Sequence, residues 1–168
     1  MKMKGKRILA LVLVLVMMAS LSGCRKQQQT TEEETETMMI ANPVKEFDTL
    51  AEAIVDSGTS ISLPGVDMDP CRFATIGAIV EVDYQDGKLC IRKAPGNQDI
   101  SGDYNTYSVN KQLEVNGTYV TVKGNAENAY NCVLWIRKDS SENEFTYAIY
   151  SEDGLSEEEV TSWVTGLN

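Results

Sequence analysis

From about residue 72 onward, apolar and polar residues alternate with a period of two, and turn residues break the alternation at short intervals. A β-strand sends successive side chains to opposite faces, so this pattern commits most of the chain to an antiparallel sheet with one buried face. Ala78, Val80, Val82 and Tyr84 alternate with Ile79, Glu81 and Asp83, and Gln85-Asp86-Gly87-Lys88 then turns the chain into a strand at 89–94. If Tyr84 faces Leu89, Glu81 falls opposite Arg92, as an exposed cross-strand pair would. Pro95-Gly96 ends that strand. Strands at 107–115 and 118–123 flank Asn116-Gly117, the dipeptide best suited to a two-residue hairpin, and this sets Leu113 across from Val120. Gly124-Asn125 leads to a strand at 130–137, and a polar loop at 139–144 leads to another at 145–150.

Helical spacing appears at both ends of this region. The sequence predicts a helix over 48–57, capped by Asp48 or Thr49. Thr49 and Glu52 fit a capping box, Leu50, Ala51, Ile54 and Val55 form the apolar face, and Gly58 is the stop. Ile61 to Leu63 reads as a short strand closed by Pro64-Gly65. At the other end, Ser156 and Glu159 form a second capping box, with Leu155 placed to staple onto Val160. Val160, Trp163, Val164 and Leu167 then make one stripe. The expected fold class is α+β: about six antiparallel strands in meander order, packed with an N-terminal and a C-terminal helix.

The first 39 residues follow different rules. Residues 1–23 carry Lys2, Lys4, Lys6 and Arg7 and no acid, followed by an unbroken apolar run from Ile8 to Ala19. That run has the length of a signal-peptide core and is short for a membrane span. Leu21-Ser22-Gly23-Cys24 then resembles a bacterial lipobox, with Cys24 as the residue that would be cleaved free and acylated. An uncleaved anchor helix ending in a chance cysteine is the alternative. Each buried acyl methylene contributes roughly 0.8 kcal/mol, so several chains on Cys24 would hold the protein to the bilayer. Residues 27–37, QQQTTEEETET, have no apolar residue and read as an acidic spacer. The expected organisation is a signal peptide at 1–23, a lipidated cysteine and tether at 24–39, and one domain at 40–168.

Charge and composition narrow the function. The 168 residues hold 15 basic and 25 acidic groups and no histidine. Without residues 1–23 the balance is 11 basic against 25 acidic, and nine against 21 remain beyond residue 37, a net −12. Such a domain makes a poor partner for a nucleic-acid backbone. The lack of histidine removes Ser-His, Cys-His and zinc-histidine chemistry.

Two stretches, IRKAPGNQDISGDYNTY at 91–107 and YAIYSEDGLSEEEV at 147–160, together resemble a family of uncharacterised lipoproteins of gut-type Gram-positive bacteria, a domain of unknown function. In that family a helix precedes an antiparallel sheet. The matching residues here are Asn42-Pro43 and the run from Glu46 to Ala53, and the resemblance covers most of 40–168. It implies no activity, cofactor or catalytic residues. By order of elements alone, the domain is also similar to curved-sheet envelope proteins that carry or sense lipoproteins.

Candidate sites are few. Ser108 to Lys111 spells S-x-x-K, but on a strand the two side chains point to opposite faces. Asp99, Asp103 and Asn105 gather oxygen ligands of the kind calcium takes, in residue types that also build turns. Cys71, Cys90 and Cys132 allow one disulfide in three pairings and leave an odd thiol. Tyr104 and Trp135 are candidate ligand contacts, with the core as the competing place for Trp135. No carboxylate pair stands out among the domain's 21 acids. The expected function is a non-catalytic binding or sensing module of the cell envelope, without a cofactor and with a protein, lipid or wall-component ligand. A hydrolase using acidic residues and a structural subunit of an envelope complex are the alternatives.

Overall fold

A computed structural model describes residues 43–65 and 68–168. The signal segment, the lipobox residues Leu21, Ser22 and Gly23, the attachment residue Cys24 and the tether lie outside the described residues. Eight strands form one antiparallel sheet rather than the six expected: β1 Val44–Phe47, β2 Pro70–Ile76, β3 Ile79–Tyr84, β4 Leu89–Pro95, β5 Val109–Val115, β6 Thr118–Ala126, β7 Ala129–Lys138 and β8 Glu144–Leu155. Helices α1, Leu50–Ser57, and α2, Glu157–Gly166, complete the fold.

The sheet is not one meander. Its order is β1-β2-β3-β4-β8-β7-β6-β5, two four-stranded meanders joined where β4 meets β8. The chain therefore leaves the middle of the sheet after β4 and restarts at the far edge with β5. Strands β1 and β2 had escaped the pattern because β1 is only four residues, VKEF, and β2 puts Pro70, Cys71 and Arg72 ahead of its apolar part. Ile61 to Leu63 forms no strand, although Ser62 and Asn168 exchange backbone hydrogen bonds of 2.6 and 3.2 Å.

Local chemistry was a good guide elsewhere. Tyr84 pairs with Leu89, Glu81 with Arg92, and Leu113 with Val120, as the turn residues required. Asn116 and Gly117 both take positive φ, 50° and 79°, which a type I′ hairpin demands at its two central positions. Both capping boxes form: Thr49 Oγ1 accepts from Glu52 N at 3.3 Å, and Ser156 Oγ accepts from Glu159 N at 3.3 Å.

The helices share one face of the sheet with the core. Val80, Val82, Ile91, Ile149, Val133, Val120 and Val122 line this face and are fully buried, and each such side chain contributes ~1.5–3 kcal/mol. Helix α2 adds Val160, Trp163, Val164 and Leu167, with the Trp163 ring 6.0 Å from Tyr84. Arg137 ties the end of α2 to β7, donating to the carbonyls of Val164 and Leu167. Helix α1 buries Leu50, Ala53 and Ile54, whereas Ala51 and Val55 face solvent, Val55 at 83% exposure. The expected face was rotated by one residue, since at 100° per residue positions 50, 53 and 54 make the tighter stripe.

Among the described residues, the opposite face carries no helix. The link from β4 to β5, residues 96–108, crosses it instead, anchored by Gly96 N to Glu144 O at 2.8 Å and Ser108 Oγ to Asn125 O at 2.9 Å. The crossing loop splits this face into two hollows.

Candidate functional site

The first hollow lies where β2, β3 and β4 place charged residues side by side. Glu81 and Asp83 alternate with the core residues of β3, and Arg72 and Arg92 flank them from β2 and β4. Arg72 Nη1 donates to Glu81 Oε1 at 3.0 Å and also to Asp83 Oδ2, while its Nε reaches Glu46 Oε1 at 2.9 Å. Arg92 Nε donates to Glu81 Oε2 at 2.7 Å. Its Nη1 donates to the carbonyls of Ser101 at 2.6 Å and Ile100 at 3.2 Å, so the same guanidinium pins the crossing loop. Gly102 is required at that contact: its φ is +65°, and a Cβ there would stand 2.4 Å from Arg92 Nη1. The Glu81–Arg92 pair, expected in solvent, is roofed by this loop, and Glu81 is only 4% exposed.

Together with Cys90, Tyr104 and Tyr150, these residues enclose about 570 Å³. Glu81, Asp83 and Cys90 bring three ligand atoms within 4.8 Å of one another, the one metal-type grouping among the described residues. Their neighbours fit a different role. Both carboxylates already accept from guanidinium groups, and burial, reinforced by Glu81 and Asp83, pushes the Cys90 thiol far above its ordinary acidity range. A thiol held protonated is a poor ligand. As built, the cluster is an ion-pair network that fastens a loop to a sheet.

The calcium candidates form two successive turns within the crossing loop. Asp99 Oδ1 accepts from Ser101 N at 2.9 Å and Ser101 Oγ at 2.6 Å, and Asp103 Oδ1 accepts from Asn105 N at 3.0 Å and Asn105 Nδ2 at 2.7 Å. Burial raises both acids, but these hydrogen bonds outweigh it and hold them below the usual carboxylate range. The three residues close their own turns and do not converge on one point.

The remaining candidates separate. Tyr104 is 97% exposed at the lip of the polar hollow. Trp135 points to the core side, 2% exposed, with its ring stacked on Tyr147 at 5.1 Å and 7°. The expected ligand contact at Trp135 is therefore a core contact, because beyond the register shift of β7 Val133, Trp135 and Arg137 face the helix side. The cysteine pair does not form: all three thiols are free, with Cys71 exposed, Cys90 half-buried and Cys132 buried. They sit on β2, β4 and β7, no two of which are neighbours in the sheet.

The second hollow is the larger, an open groove of about 760 Å³ between the crossing loop and β5–β8. Its floor is Leu134 and Ile136, the even-numbered partners of Trp135, with Thr121 and Thr146 beside them. Tyr119 and Ile136 are 67% and 43% exposed. The rim carries the amides of Asn97, Gln98 and Gln112, with Asp99 and Lys138 as charges. Sequence reasoning had singled out none of the floor residues. The available signal was the run Leu134-Trp135-Ile136, apolar on both faces of one strand, where a one-sided sheet would show a polar residue at every second position.

No protein-family model, curated protein or solved structure matches the chain. Among the described residues, no helix is long and apolar enough to cross a membrane.

Proposed function

We propose that this chain is an extracytoplasmic lipoprotein, held to the bacterial membrane by an acylated Cys24, whose domain binds a wall-derived glycan or peptide in the groove. The groove itself carries this reading. It joins an apolar floor, Leu134 and Ile136, to an exposed aromatic ring, Tyr119, and to three side-chain amides. Sugars and peptides present alternating apolar and hydrogen-bonding surface, which this combination matches. Asp99 is the one acidic side chain among the residues that line the groove, and the buried pair Glu81 and Asp83 lies elsewhere, under the crossing loop, each already accepting from arginine. The charged leader, the apolar run and the lipobox support the anchor, and the acidic spacer supports a domain held clear of the bilayer surface. The resemblance to uncharacterised Gram-positive lipoproteins agrees with that location.

The binding test is calorimetric titration of the purified chain, in detergent, with soluble wall glycan–peptide fragments. Tyr119→Ala and Ile136→Asp are expected to weaken binding at least about tenfold, equivalent to ~1.4 kcal/mol, with little change in Tm because both side chains are exposed. Absence of binding heat, or equal affinity in both variants, overturns the groove reading. The anchor is tested separately by growth with labelled palmitate: label retained after Cys24→Ala contradicts acylation at that residue.

A further inference from the structure

The sheet ends on two unequal edges. Strand β1 is four residues long, whereas β5 runs seven residues without proline and pairs with β6 in an unbroken register from Val109–Gly124 to Val115–Thr118. Proteins shield edges with short strands, proline, bulges or lysines, because a free row of N–H and C=O groups is a template for another strand. Strand β5 lacks the first three. Its one lysine, Lys111, is drawn back over the Tyr130 ring at 5.3 Å and bridged to Glu127 at 2.8 Å.

The turn decides which backbone groups are free. Asn116 and Gly117 close a two-residue hairpin, so Val115 and Thr118 exchange hydrogen bonds, and by alternation Val109, Lys111 and Leu113 also bond inward to β6. Asn110, Gln112 and Glu114 therefore direct both backbone groups away from the sheet. Among the described residues, no hydrogen bond reaches those groups. The same three side chains are exposed on the open face, and Gln112 stands on the groove rim.

The sequence of β5, VNKQLEV, is its own complement about Gln112. Laid antiparallel on a second copy over its full length, Asn110 meets Glu114, Gln112 meets Gln112, Lys111 meets Leu113 and Val109 meets Val115. One amide donates to a carboxylate, two amides donate and accept, and no like charges stand directly opposite. The outward-bonding residues face one another in this register, so each of their pairs exchanges two backbone hydrogen bonds. A register centred on Lys111 instead would oppose two ammonium groups, and one centred on Leu113 would shorten the paired stretch. The seven residues carry one base and one acid, so two domains of net −12 can approach on a neutral strip.

We propose that β5 is a self-association edge, on which two copies of this chain pair β5 to β5 about a twofold axis through Gln112 and continue one sheet into the other. A second copy fits better than an unrelated peptide, because the match lies in the side chains and not in the backbone alone. The two grooves then meet at the axis, and each copy places its Gln112 at the end of the other's groove. An edge of seven residues is small beside the roughly 1,600 Å² of a standard interface, so the dimer is weak in solution, and anchoring of both copies to one membrane would raise their effective concentration. The pairing does not depend on the groove holding a ligand.

The test is sedimentation velocity of the full chain in excess detergent micelles, from about 1 μM to 1 mM protein at low salt. The wild type is expected to show a monomer–dimer equilibrium. Gln112→Pro removes only an outward N–H, which an edge strand tolerates, and should weaken dimerisation at least about tenfold. Gln112→Glu and Gln112→Lys each oppose like charges at the axis and should associate less than the wild type, whereas their equimolar mixture should recover association as a heterodimer. That recovery is specific to a residue that meets its own copy, and association through the micelle cannot mimic it, since every variant carries the same anchor. A wild type that stays monomeric, association unchanged by Gln112→Pro, or a mixture that associates no better than its components overturns the proposal. A monomeric wild type that binds an extended wall peptide, and loses it in Gln112→Pro, would overturn it and assign the edge to a peptide strand. If Gln112→Pro does not fold, the charge pair still decides.

Discussion

Cys90 and Cys132 pair with the same residue, Tyr150, from opposite sides of β8. One whole strand therefore separates the two thiols, and neighbouring strands lie ~4.8 Å apart, which places their Cα atoms near 10 Å. A disulfide closes only below about 7 Å, and Cys71 on β2 is likewise separated from Cys90 by β3.

The first prediction concerns these thiols. Under oxidising, non-reducing conditions the folded domain should show three free cysteines by mass spectrometry after alkylation in denaturant. In the native state Cys71 should react first. Cys132 should resist reagent near neutral pH, because burial pushes its thiol up to about 11. A native disulfide mass, or equal reactivity of Cys71 and Cys132, contradicts the arrangement.

The second concerns Glu81, whose side chain is 5% exposed and stands between two guanidinium groups. Glu81→Ala leaves Arg72 and Arg92 facing each other beneath the crossing loop. Removing one partner of a buried ion pair costs on the order of 3 kcal/mol, measurable as a lower urea midpoint at unchanged slope. Proteolytic cleavage within 96–108 should accelerate in parallel, since Arg92 would lose the carboxylate that orients it toward Ile100 and Ser101. A loss under about 0.5 kcal/mol would reduce the network to surface ion pairing.

The third concerns pH. With no histidine in the chain, stability should be flat between about pH 6 and 8. Hydrogen bonds from Ser156 hold Glu159 below its ordinary 4.5, and those within the crossing loop hold Asp99 and Asp103 below 3.8. A carboxylate with a depressed folded value stabilises above its unfolded value, and that contribution disappears as pH falls through the folded value. The urea midpoint should therefore drop below about pH 4.5. At the alkaline end the sign reverses. Burial raises Cys132 from 9.0 to about 11 and Tyr107 from 10.0 to about 12, so stability should fall as pH rises from 9 toward 12. A midpoint that changes within pH 6–8 would point to a titrating group outside this set.

Much of the fold was legible because it is written over short distances. Alternation along β3–β8 assigns faces, Asn116-Gly117 sets a hairpin and its register, and the two capping boxes start both helices within four residues of chain. The Glu81–Arg92 and Leu113–Val120 pairings follow from those turns alone. The candidate sites were much less legible. Asp99, Asp103 and Asn105 have the composition of a cation loop, but their oxygens close their own turns, which spacing does not distinguish.

What only the tertiary structure decided is where distant segments meet. Which strand lies beside β4 depends on pairing across 50 residues or more, and the chain satisfies it with β8, sending residues 96–108 over the open face. That path buries Glu81, which strand alternation had put in water, and opens the groove over Leu134 and Ile136. The same pairing sets Lys93 beside Tyr147 and Phe145, and keeps the three cysteines on non-adjacent strands. Periodicity tells a side chain which face it takes. Its burial, charge partner and reach depend on what crosses that face, and backbone pairing between remote strands determines that.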